Sequence, residues 1–581
     1  MNSNEGHERS YAMCPDELKE QVQQLEISRV DYRPIIRAYL QRLGVVEVIN
    51  RLIPTEMEVQ PGLIVAGMIQ DTLSGRSPLY RLEEFFKTQD TELLLGSGVE
   101  PGTFRDHNVG RVMDRIYEAG PSRIFSEVSR RAAVIFDLDT RHGHWDTTSV
   151  SVWGDYDFYS NEDDPRLKIT FGHSKDHRPD LKQFLISMLC VEHNIPILGD
   201  CHDGNSADKT LTNKLLTRIS KDLAKHGLRE GAFTYVADSA FVNEENLACF
   251  KEDGSRSPLY FVTRLPFTYN ETDRVVKEAV RADQWKDIGV LARTRPTLTR
   301  PVASYRAYEC QVELYGTSYR AVVIHSSAHD KRRNKRIDRE LKEERKRRMA
   351  EVYSCNKITF YCEADAIAQL ERLKALPSPY YQVDGQVHEV PVYARGRPPK
   401  SGPRKVAQRQ WQIKTMILEK PDALAQKREE AGCFVLLTNR PKEDPDAQSA
   451  EDVLRTYKAQ DGIERNYSFL KDPLIVNDLF LKKPERIEAL GMVLLMSLLI
   501  WNLMQRSMRI YIEKTQTTLE GWDGKRTDRP TSFMMTTKFQ GLMVVKVAHT
   551  RVLNQDLTQI QKQYLLALGV NEKVFIDPRP G

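Results

Sequence analysis

The sequence predicts a mixed α/β protein with a helical N-terminal region and a strand-rich segment after Leu265. From residue 31 to 131, apolar residues recur three or four positions apart between Pro and Gly, a pattern typical of packed helices. At Ala132 the pattern changes to short segments rich in β-branched residues, and these later alternate with helical patterns. Strands followed by alternating helices and strands indicate a mixed sheet flanked by helices.

The expected sheet begins with three consecutive strands and continues through alternating elements. We predict strands at 132–139, 143–154 and 166–174, a helix from Asp180 to Cys190, a strand at 195–200, a long helix from Asp208 to about His226, and strands at 233–238 and 432–439. The apolar run from Ala489 to Met504 covers about 16 residues, fewer than the roughly 20 that span a bilayer. We therefore expect a buried core helix there and no membrane partner.

The composition indicates a soluble globular protein. Of the 581 residues, 40% are hydrophobic and 29% are charged, and the net charge is only +4, so the overall balance does not demand a nucleic-acid partner. This length suffices for three or four domains of about 150 residues. The eight cysteines form no CxxC pair, and the polar first residues lack the apolar core of a signal peptide, which together favour a cytoplasmic protein with reduced thiols.

A helical pattern near residue 460 carries the most informative polar residues. At helical offsets of 0, 3, 7 and 14, four of them share one stripe: Tyr457, Gln460, Glu464 and Lys471. A second stripe is apolar and predicts the face that packs on a core: Ala459, Ile463, Tyr467 and Leu470. An acid and a base on one stripe suit a site that holds metal and phosphate together, although an ordinary amphipathic helix with solvated charges gives the same pattern.

Two further carboxylates lie on predicted strands. Asp146 lies within the strand at 143–154, and Asp238 ends the strand at 233–238, where ligands of open α/β sheets gather. If these two met Glu464 they would repel one another unless cations lay among them, and two Mg²⁺ ions, which Mn²⁺ can replace, would satisfy them. Each aspartate could instead simply end a strand or cap a helix. Asp137 and Asp139 are rival candidates for the first acid.

Several basic residues could contact phosphate. The segment 331–349 predicts a charged helix, either solvated or touching phosphate. The segment 394–405 predicts a loop or linker in which Arg395 and Arg397 resemble an AT-hook that enters the minor groove. In a predicted loop, three residues could bind phosphate or cap the helix expected from Asp180: His173, Lys175 and Arg178. Cys201 and His202 match no usual metal-site spacing.

Five sequence words together resemble the insertion-sequence transposases of the DDE superfamily, which have a ribonuclease-H-like core. In order along the chain these words are HWDTTSVSVWGDYD, TFGHSKDHRPDLKQF, YVADSAFV, FVTRLP and YKAQDGIERNYSFLKDP. The last word is similar to the family's YREK signature, carried here by Tyr457, Gln460, Glu464 and Lys471. Gln460 stands where the family usually has arginine, so a charge-based role is not expected at that position.

The resemblance implies a division of the chain into six parts. These are a flexible N-terminus (1–30), a helical DNA-binding domain (31–131), a first part of the catalytic core (132–265), a β-rich insertion domain (266–429), a second part of the core with the Glu464 helix (430–510) and a C-terminal helical region (511–581).

The resemblance also implies an activity and its residues. Asp146, Asp238 and Glu464 would be the metal-binding triad, and Lys471 and Tyr457 would contact DNA near the scissile bond. The enzyme would cleave element ends and join them to target DNA, acting as a dimer or larger assembly in a prokaryotic cytoplasm. The alternatives are a retired transposase that regulates by binding DNA and a related metal-dependent nuclease.

Overall fold

The structure is a computed structural model, and it describes most of the chain. The described residues are 25–581 without 76, 155, 157–165, 176–177, 208–210, 212–232, 251–258, 293–301, 398, 400, 472–480, 548–549 and 580–581. The helix predicted from Asp208 lies almost entirely outside them. The described chain forms two compact units, with unit 1 comprising 1–237, 243–261 and 456–581 and unit 2 comprising 238–242 and 262–455.

The N-terminal part of unit 1 is helical, as predicted. Its helices are α1 (Arg33–Leu43), α2 (Val45–Leu52), α3 (Pro61–Thr72), α4 (Leu82–Lys87), α5 (Thr91–Leu95), α6 (Asp106–Ala119) and α7 (Pro121–Ile135). Proline stands in the first turn of α1, α3 and α7, where its missing N–H costs nothing. Gly44 separates α1 from α2 with a φ of 61°, a left-handed conformation that favours glycine.

The strand predicted at 132–139 is wrong. Helix α7 continues through Ile135, because the buried residues Ile124, Val128 and Ala132 keep helical spacing and lie on one face. The chain then leaves the helix at Phe136 and passes through Asp137, whose φ is 48°.

The sheet of unit 1 contains the strands β2 (His142–Val152), β3 (Lys182–Cys190), β4 (Pro196–His202) and β5 (Thr234–Val236) in the order β4-β3-β2-β5. Strand β3 is antiparallel to both β2 and β4, whereas β5 is parallel to β2. The predictions for β2, β4 and β5 are confirmed. A short strand β1 (Glu26–Arg29) belongs to a separate sheet in the same unit.

Two predictions around β3 are wrong. The helix expected from Asp180 to Cys190 is strand β3, because its run of apolar residues is buried on both faces and cannot be told from a helix by periodicity alone. In the segment predicted as a strand at 166–174, the described ladder contact is a single bridge from Thr170 to Gln183.

A long helix runs through the core of unit 1. Helix α15 (Pro484–Thr515) packs against α3, α6, α7 and β4, and its residues from Ala489 to Ile500 are buried. The prediction of a buried core helix is confirmed. Among the described residues it is the one helix long and apolar enough to cross a membrane, and 89% of its apolar window is buried inside the protein.

The C-terminal part of unit 1 contains strands as well as helices. After α15 come β14 (Leu519–Glu520), β15 (Arg526–Thr527), α16 (Ser532–Lys538), β16 (Met543–Val547), β17 (Thr550–Leu553) and α17 (Gln559–Leu568). Strand β16 pairs with both β1 and β17. On β17, the buried Arg551 donates to Asp90 at 2.7 Å and so ties this region to the N-terminal cap of α5.

Unit 2 is built on a second run of strands. Strand β6 (Tyr260–Arg264) begins at its boundary, and β13 (Cys433–Thr438), β9 (Thr317–Ser326), β8 (Ser304–Leu314) and β7 (Lys286–Val290) follow it in the order β6-β13-β9-β8-β7, all antiparallel. Its helices are α9 (Asn270–Ala282), α10 (Ser327–Asn356), α11 (Glu363–Ala375) and α12 (Pro421–Ala431), whereas the short helix α8 (Glu244–Ala248) belongs to unit 1. The charged helix predicted at 331–349 is confirmed as part of α10.

A small three-stranded sheet completes unit 2. Strand β12 (Val406–Glu419) lies between β10 (Thr359–Phe360) and β11 (Tyr381–Tyr393), and both pairings are antiparallel. A cluster of buried apolar residues holds this sheet against α10 and α11: Cys355, Ala366, Leu370, Leu373 and Ile413.

We expect the stability of the protein to depend on the protonation of Glu488 in α15. Burial, helped by the nearby Asp200, raises the pKa of Glu488 from 4.5 to about 7. The folded state therefore binds this proton more tightly than the unfolded state, and the free energy of unfolding should fall as pH rises from 4.5 to about 7. Glu488→Gln should increase that free energy by about 1–2 kcal/mol at pH 8 and change it little at pH 4.

Urea unfolding at both pH values measures this effect. Glu513→Gln, an exposed change of the same charge on the same helix, is the control and should leave the pH dependence unaltered. Equal effects of both substitutions at pH 8 would contradict the assignment to Glu488.

Candidate active site

Asp146 lies in the middle of β2, opposite Met188 of β3. Its carboxylate accepts the Thr147 N–H at 2.7 Å, and its side chain is 36% exposed. The Lys175 ammonium lies 3.5 Å from the Asp146 Oδ1 and donates to the Thr147 carbonyl at 2.6 Å. Strand β2 therefore presents an accessible carboxylate with one cation held beside it.

The loop that contains Lys175 is tied to the same strand. The Lys175 N–H donates to the Ser149 Oγ at 3.0 Å, which fixes the backbone as well as the side chain. Arg178 instead pairs with Asp180 at 2.6 Å and stacks over Trp153. The predicted capping of a helix at Asp180 is wrong because a strand follows.

The rival acids have other partners. Asp139 forms a paired contact with Arg141, at 2.9 and 2.6 Å, which lowers the pKa of its carboxyl group. Asp137 lies in the turn after α7, where its carbonyl accepts a hydrogen bond from Arg506. Both precede β2, so Asp146 is the acid carried within the strand.

The polar stripe around Glu464 is not on one continuous helix, contrary to the prediction. Helix α13 (Ala450–Lys458) carries Tyr457, and a separate helix α14 (Asp461–Leu470) carries Glu464. Gln460 occupies the N-cap position of α14 without a side-chain capping hydrogen bond, and Lys471 occupies its C-cap position. Between the helices, the N–H groups of Gln460 and Gly462 donate to carbonyls three residues earlier, a tighter turn that interrupts the α-helical hydrogen bonding.

Gly462, in the first turn of α14, makes a close contact. A Cβ atom there would lie 2.0 Å from the Asn194 amide, so only glycine lets α14 approach so closely. The predicted apolar face is confirmed for Ile463, Tyr467 and Leu470, which are buried, whereas Ala459 is exposed. Glu464 is exposed on the other side of α14, and within the described part of the chain no ion pair involves its carboxylate.

Three asparagines anchor the Glu464 helix, and we call them the asparagine triangle: Asn194, Asn466 and Asn502. The Asn466 amide donates to the Asn194 carbonyl at 2.7 Å and to the Cys190 Sγ at 3.3 Å. The Asn502 amide, on α15, donates to the same carbonyl at 2.9 Å and to the Asn466 Oδ1 at 3.0 Å. The triangle thus joins α14, the core helix and the turn between β3 and β4.

The triangle also relates Glu464 to Asp146. Asn466 is two residues beyond Glu464, and its amide lies 3.8 Å from the Met188 sulfur. Met188 is the β3 residue paired with Asp146. Helix α14 also packs against β2 itself. Two of the three predicted acids are therefore carried by elements fixed to the same pair of strands.

Sequence reasoning missed the asparagine triangle, although one signal was present. Asn466 stands between Ile463 and Leu470 at the spacing of the apolar stripe, and it is only 4% exposed. A polar residue at a core position of an amphipathic helix requires buried partners. Asn194 and Asn502 are distant in the chain, so their identity as those partners was not readable.

Asp238 follows the parallel strand β5. The last registered pair of β2 and β5 joins His144 to Val236, and Asp146 and Asp238 each stand two residues further along. Asp238 begins the segment 238–242 that belongs to unit 2. It is exposed, its carboxylate accepts the Ala240 N–H at 3.0 Å, and its carbonyl accepts the Thr263 hydroxyl at 2.7 Å.

The three acids match Mg²⁺ in ligand type. Asp146, Asp238 and Glu464 offer carboxylate oxygens, the hard ligands that this cation prefers. The buried His144 adds no positive charge near Asp146 at neutral pH, because burial lowers its pKa to about 4. Across the described residues, no group of three or more His, Cys, Asp or Glu side chains is gathered closely enough to hold a metal ion.

The remaining predicted residues lie elsewhere. Arg395 and Arg397 are in the turn between β11 and β12 of unit 2, so the predicted loop is the tip of a hairpin. On β4, the His202 Nε2 lies 2.7 Å from the Ser187 Oγ, and Cys201 is a free thiol whose burial raises its pKa.

Comparison with known proteins gives three findings. A family model described as a domain of unknown function, DUF4277, matches residues 25–130, which coincide with the N-terminal helices. The chain is similar to the solved structure described as a piggyBac transposase synaptic complex with hairpin DNA, with 11% sequence identity, a TM-score of 0.33, and coverage of 82% of this chain and 75% of that chain. No curated protein matches the chain.

We expect Asn466→Ala to release α14 from β3. The Asn194 carbonyl and the Asn502 amide would each lose a buried partner, at a cost of about 1–3 kcal/mol. Hydrogen exchange of amides 461–471 should accelerate by roughly tenfold for each 1.4 kcal/mol lost. Mass spectrometry of peptides from this segment measures the change.

Ser129→Ala provides the matched control. It removes a buried hydrogen bond of 2.7 Å from α7 to the Ile197 carbonyl of β4. This variant should lose comparable stability while leaving exchange in α14 as it was. Unchanged exchange in the Asn466 variant would show that the triangle does not hold the helix.

Proposed function

We propose that the chain is a DDE-type transposase that cleaves the ends of an insertion sequence and joins them to target DNA. The observation that carries the proposal is the asparagine triangle, which fastens the Glu464 helix to the strand paired with Asp146. The five sequence words in order, including the YREK-type word, supply the reaction class. A ribonuclease-H-like core is part of this proposal.

The proposed metal ligands are Asp146, Asp238 and Glu464. Carboxylates that share a point repel one another, so their convergence requires bound cations and the DNA strand. Two Mg²⁺ ions would supply an activated hydroxyl nucleophile and stabilise the leaving oxygen. The chain's own contribution is to hold Asp146 on a rigid strand and Glu464 on an anchored helix, so that little ordering is left for the moment of reaction.

The basic and polar residues near these acids would position the DNA backbone. Lys175 lies beside Asp146 and can hold a phosphate oxygen close to that carboxylate. Lys471 ends α14, and Tyr457 stands one helix earlier. Gln460 can contribute a hydrogen bond but not the charge of the family's usual arginine. The proposed assembly is a homodimer on two element ends, in a prokaryotic cytoplasm.

The test supplies terminal-repeat DNA from the flanks of the coding region together with Mg²⁺. We expect Asp146→Ala, Asp238→Ala and Glu464→Ala each to reduce cleavage by roughly a thousandfold or more while DNA binding persists. Gel analysis of cleaved and joined products gives both rates. Asp139→Ala, which removes an acid already paired with Arg141, is the matched control and should cleave normally.

Three outcomes would redirect the proposal. Wild-type cleavage by the triad variants would remove these acids from the site. Cleavage without covalent joining of a 3′ end to a second duplex would identify a metal-dependent nuclease. Specific binding with no metal-dependent cleavage by the unaltered protein would identify a DNA-binding regulator.

A further inference from the structure

The hairpin of β11 and β12 forms a two-stranded ribbon that extends beyond its own core. The strands have 13 and 14 residues, a length of about 40 Å at 3.3 Å per residue. Near the base, Val383, Val387 and Trp411 pack against the apolar cluster of α10 and α11. We call the outer part, residues 388–412, the distal ribbon.

None of the described residues of the distal ribbon is buried, although Trp411 at its base packs against the apolar cluster. Its pairs run from His388 with Gln412 to Tyr393 with Val406, and the Ala394 N–H closes the turn by donating to the Lys405 carbonyl at 3.0 Å. From 391 to 409, every described residue except Ala394 is exposed. Because both faces of the ribbon are exposed, its side chains add little to the packing of unit 2. They are therefore available to bind a partner.

The distal ribbon is strongly basic. It has one acidic residue, Glu389, and six basic residues: Arg395, Arg397, Lys400, Arg404, Lys405 and Arg409. Its net charge is therefore +5, whereas the whole chain carries +4. The segment 331–349 of α10 has a net charge of +7, but its Glu340 and Glu344 pair with arginines of the same helix. Both segments can attract a polyanion, and the ribbon presents its cations at an exposed turn.

The cations at the tip are available to a ligand. Glu389 pairs with Arg409 at 3.3 Å, on the strands below the turn. Arg404 stacks over the Tyr393 ring at 5.3 Å, which orients its guanidinium while leaving its donors exposed. Arg395 and Arg397 are exposed, and within the described part of the chain neither forms an ion pair.

We propose that the distal ribbon is an arm that binds duplex DNA through the phosphate backbone. A two-stranded ribbon fits the major groove, which is about 12 Å wide. Arginine and lysine at a turn can reach the phosphates on either side, as required for contact without base specificity. This inference adds to the proposed function a named source of its DNA affinity, within unit 2 and separate from the three acids.

The test compares two full-length variants that lose the same charge. The ribbon variant carries Arg395→Ala, Arg397→Ala, Arg404→Ala and Lys405→Ala. The control carries Arg339→Ala, Lys342→Ala, Arg345→Ala and Lys346→Ala, at four exposed positions of α10. Fluorescence anisotropy with a random 30-base-pair duplex in EDTA, from 50 to 200 mM salt, measures affinity without any cleavage.

We expect the ribbon variant to bind at least tenfold more weakly at 50 mM salt. Its plot of log K against log salt should be shallower by about 2–4, since each lost phosphate contact removes about 0.9 from the slope. The α10 control should keep a slope within about one of the unaltered protein. Circular dichroism and the melting temperature confirm that both variants fold.

The outcomes separate this inference from the proposed function. Wild-type affinity and slope in the ribbon variant, or equal losses in both variants, would overturn it. If the ribbon variant binds normally while the unaltered protein cleaves element ends, the arm fails and the transposase stands. If the ribbon variant loses DNA binding while the unaltered protein does not cleave element ends, the DNA-binding role of the ribbon is supported and the transposase activity is not.

Discussion

The buried contact among Asn194, Asn466 and Asn502 is the constraint on which the candidate active site depends. The buried amides of Asn466 and Asn502 donate to the Asn194 carbonyl, and the Asn502 amide also donates to Asn466, so removing one group would take a partner from the others. Such a network tolerates one arrangement of its three elements and penalises others. The position of Glu464 is thus set by hydrogen bonds made two residues away, on the opposite face of its helix.

The core helix α15 makes this arrangement possible. It is buried along most of its length and therefore lacks a polar face. Asn502 is one of its few buried polar residues, and it is satisfied only because α14 and the turn after β3 meet it there. Gly462 completes the fit by letting α14 touch Asn194. In unit 1, the packing of the interior therefore also sets the orientation of the Glu464 carboxylate at the surface.

The sequence predicted well those elements whose pattern has only one explanation. The β-branched residues of β2 and the unbroken apolar run of α15 were both interpreted correctly. It failed where a pattern fits two structures: the run at 182–190 is equally apolar as a helix, and 132–135 can extend a helix or begin a strand. Residues 182–190 form a strand because they are buried on both faces of a sheet. Residues 132–135 remain helical because their apolar residues share one face with those earlier in α7.

The site could be predicted in its residue types but not in its supports. Asp146 within a strand and Asp238 after a parallel one follow from local patterns. The division of the Glu464 stripe into two helices does not follow from them. Nor does the close contact of Gly462 with Asn194, because these residues are far apart in the chain.

The distribution of charge gives a physical reason for separating DNA binding from chemistry. Three carboxylates repel a phosphate backbone until cations bind them, so the acids cannot supply the first attraction for DNA. A chain whose net charge is only +4 must obtain that attraction from local clusters of basic residues, and residues 388–412 form one such cluster at an exposed hairpin. Because phosphate contacts at a hairpin arm carry no sequence information, such an arm would favour any duplex equally. Selection of particular element ends must then come from other contacts.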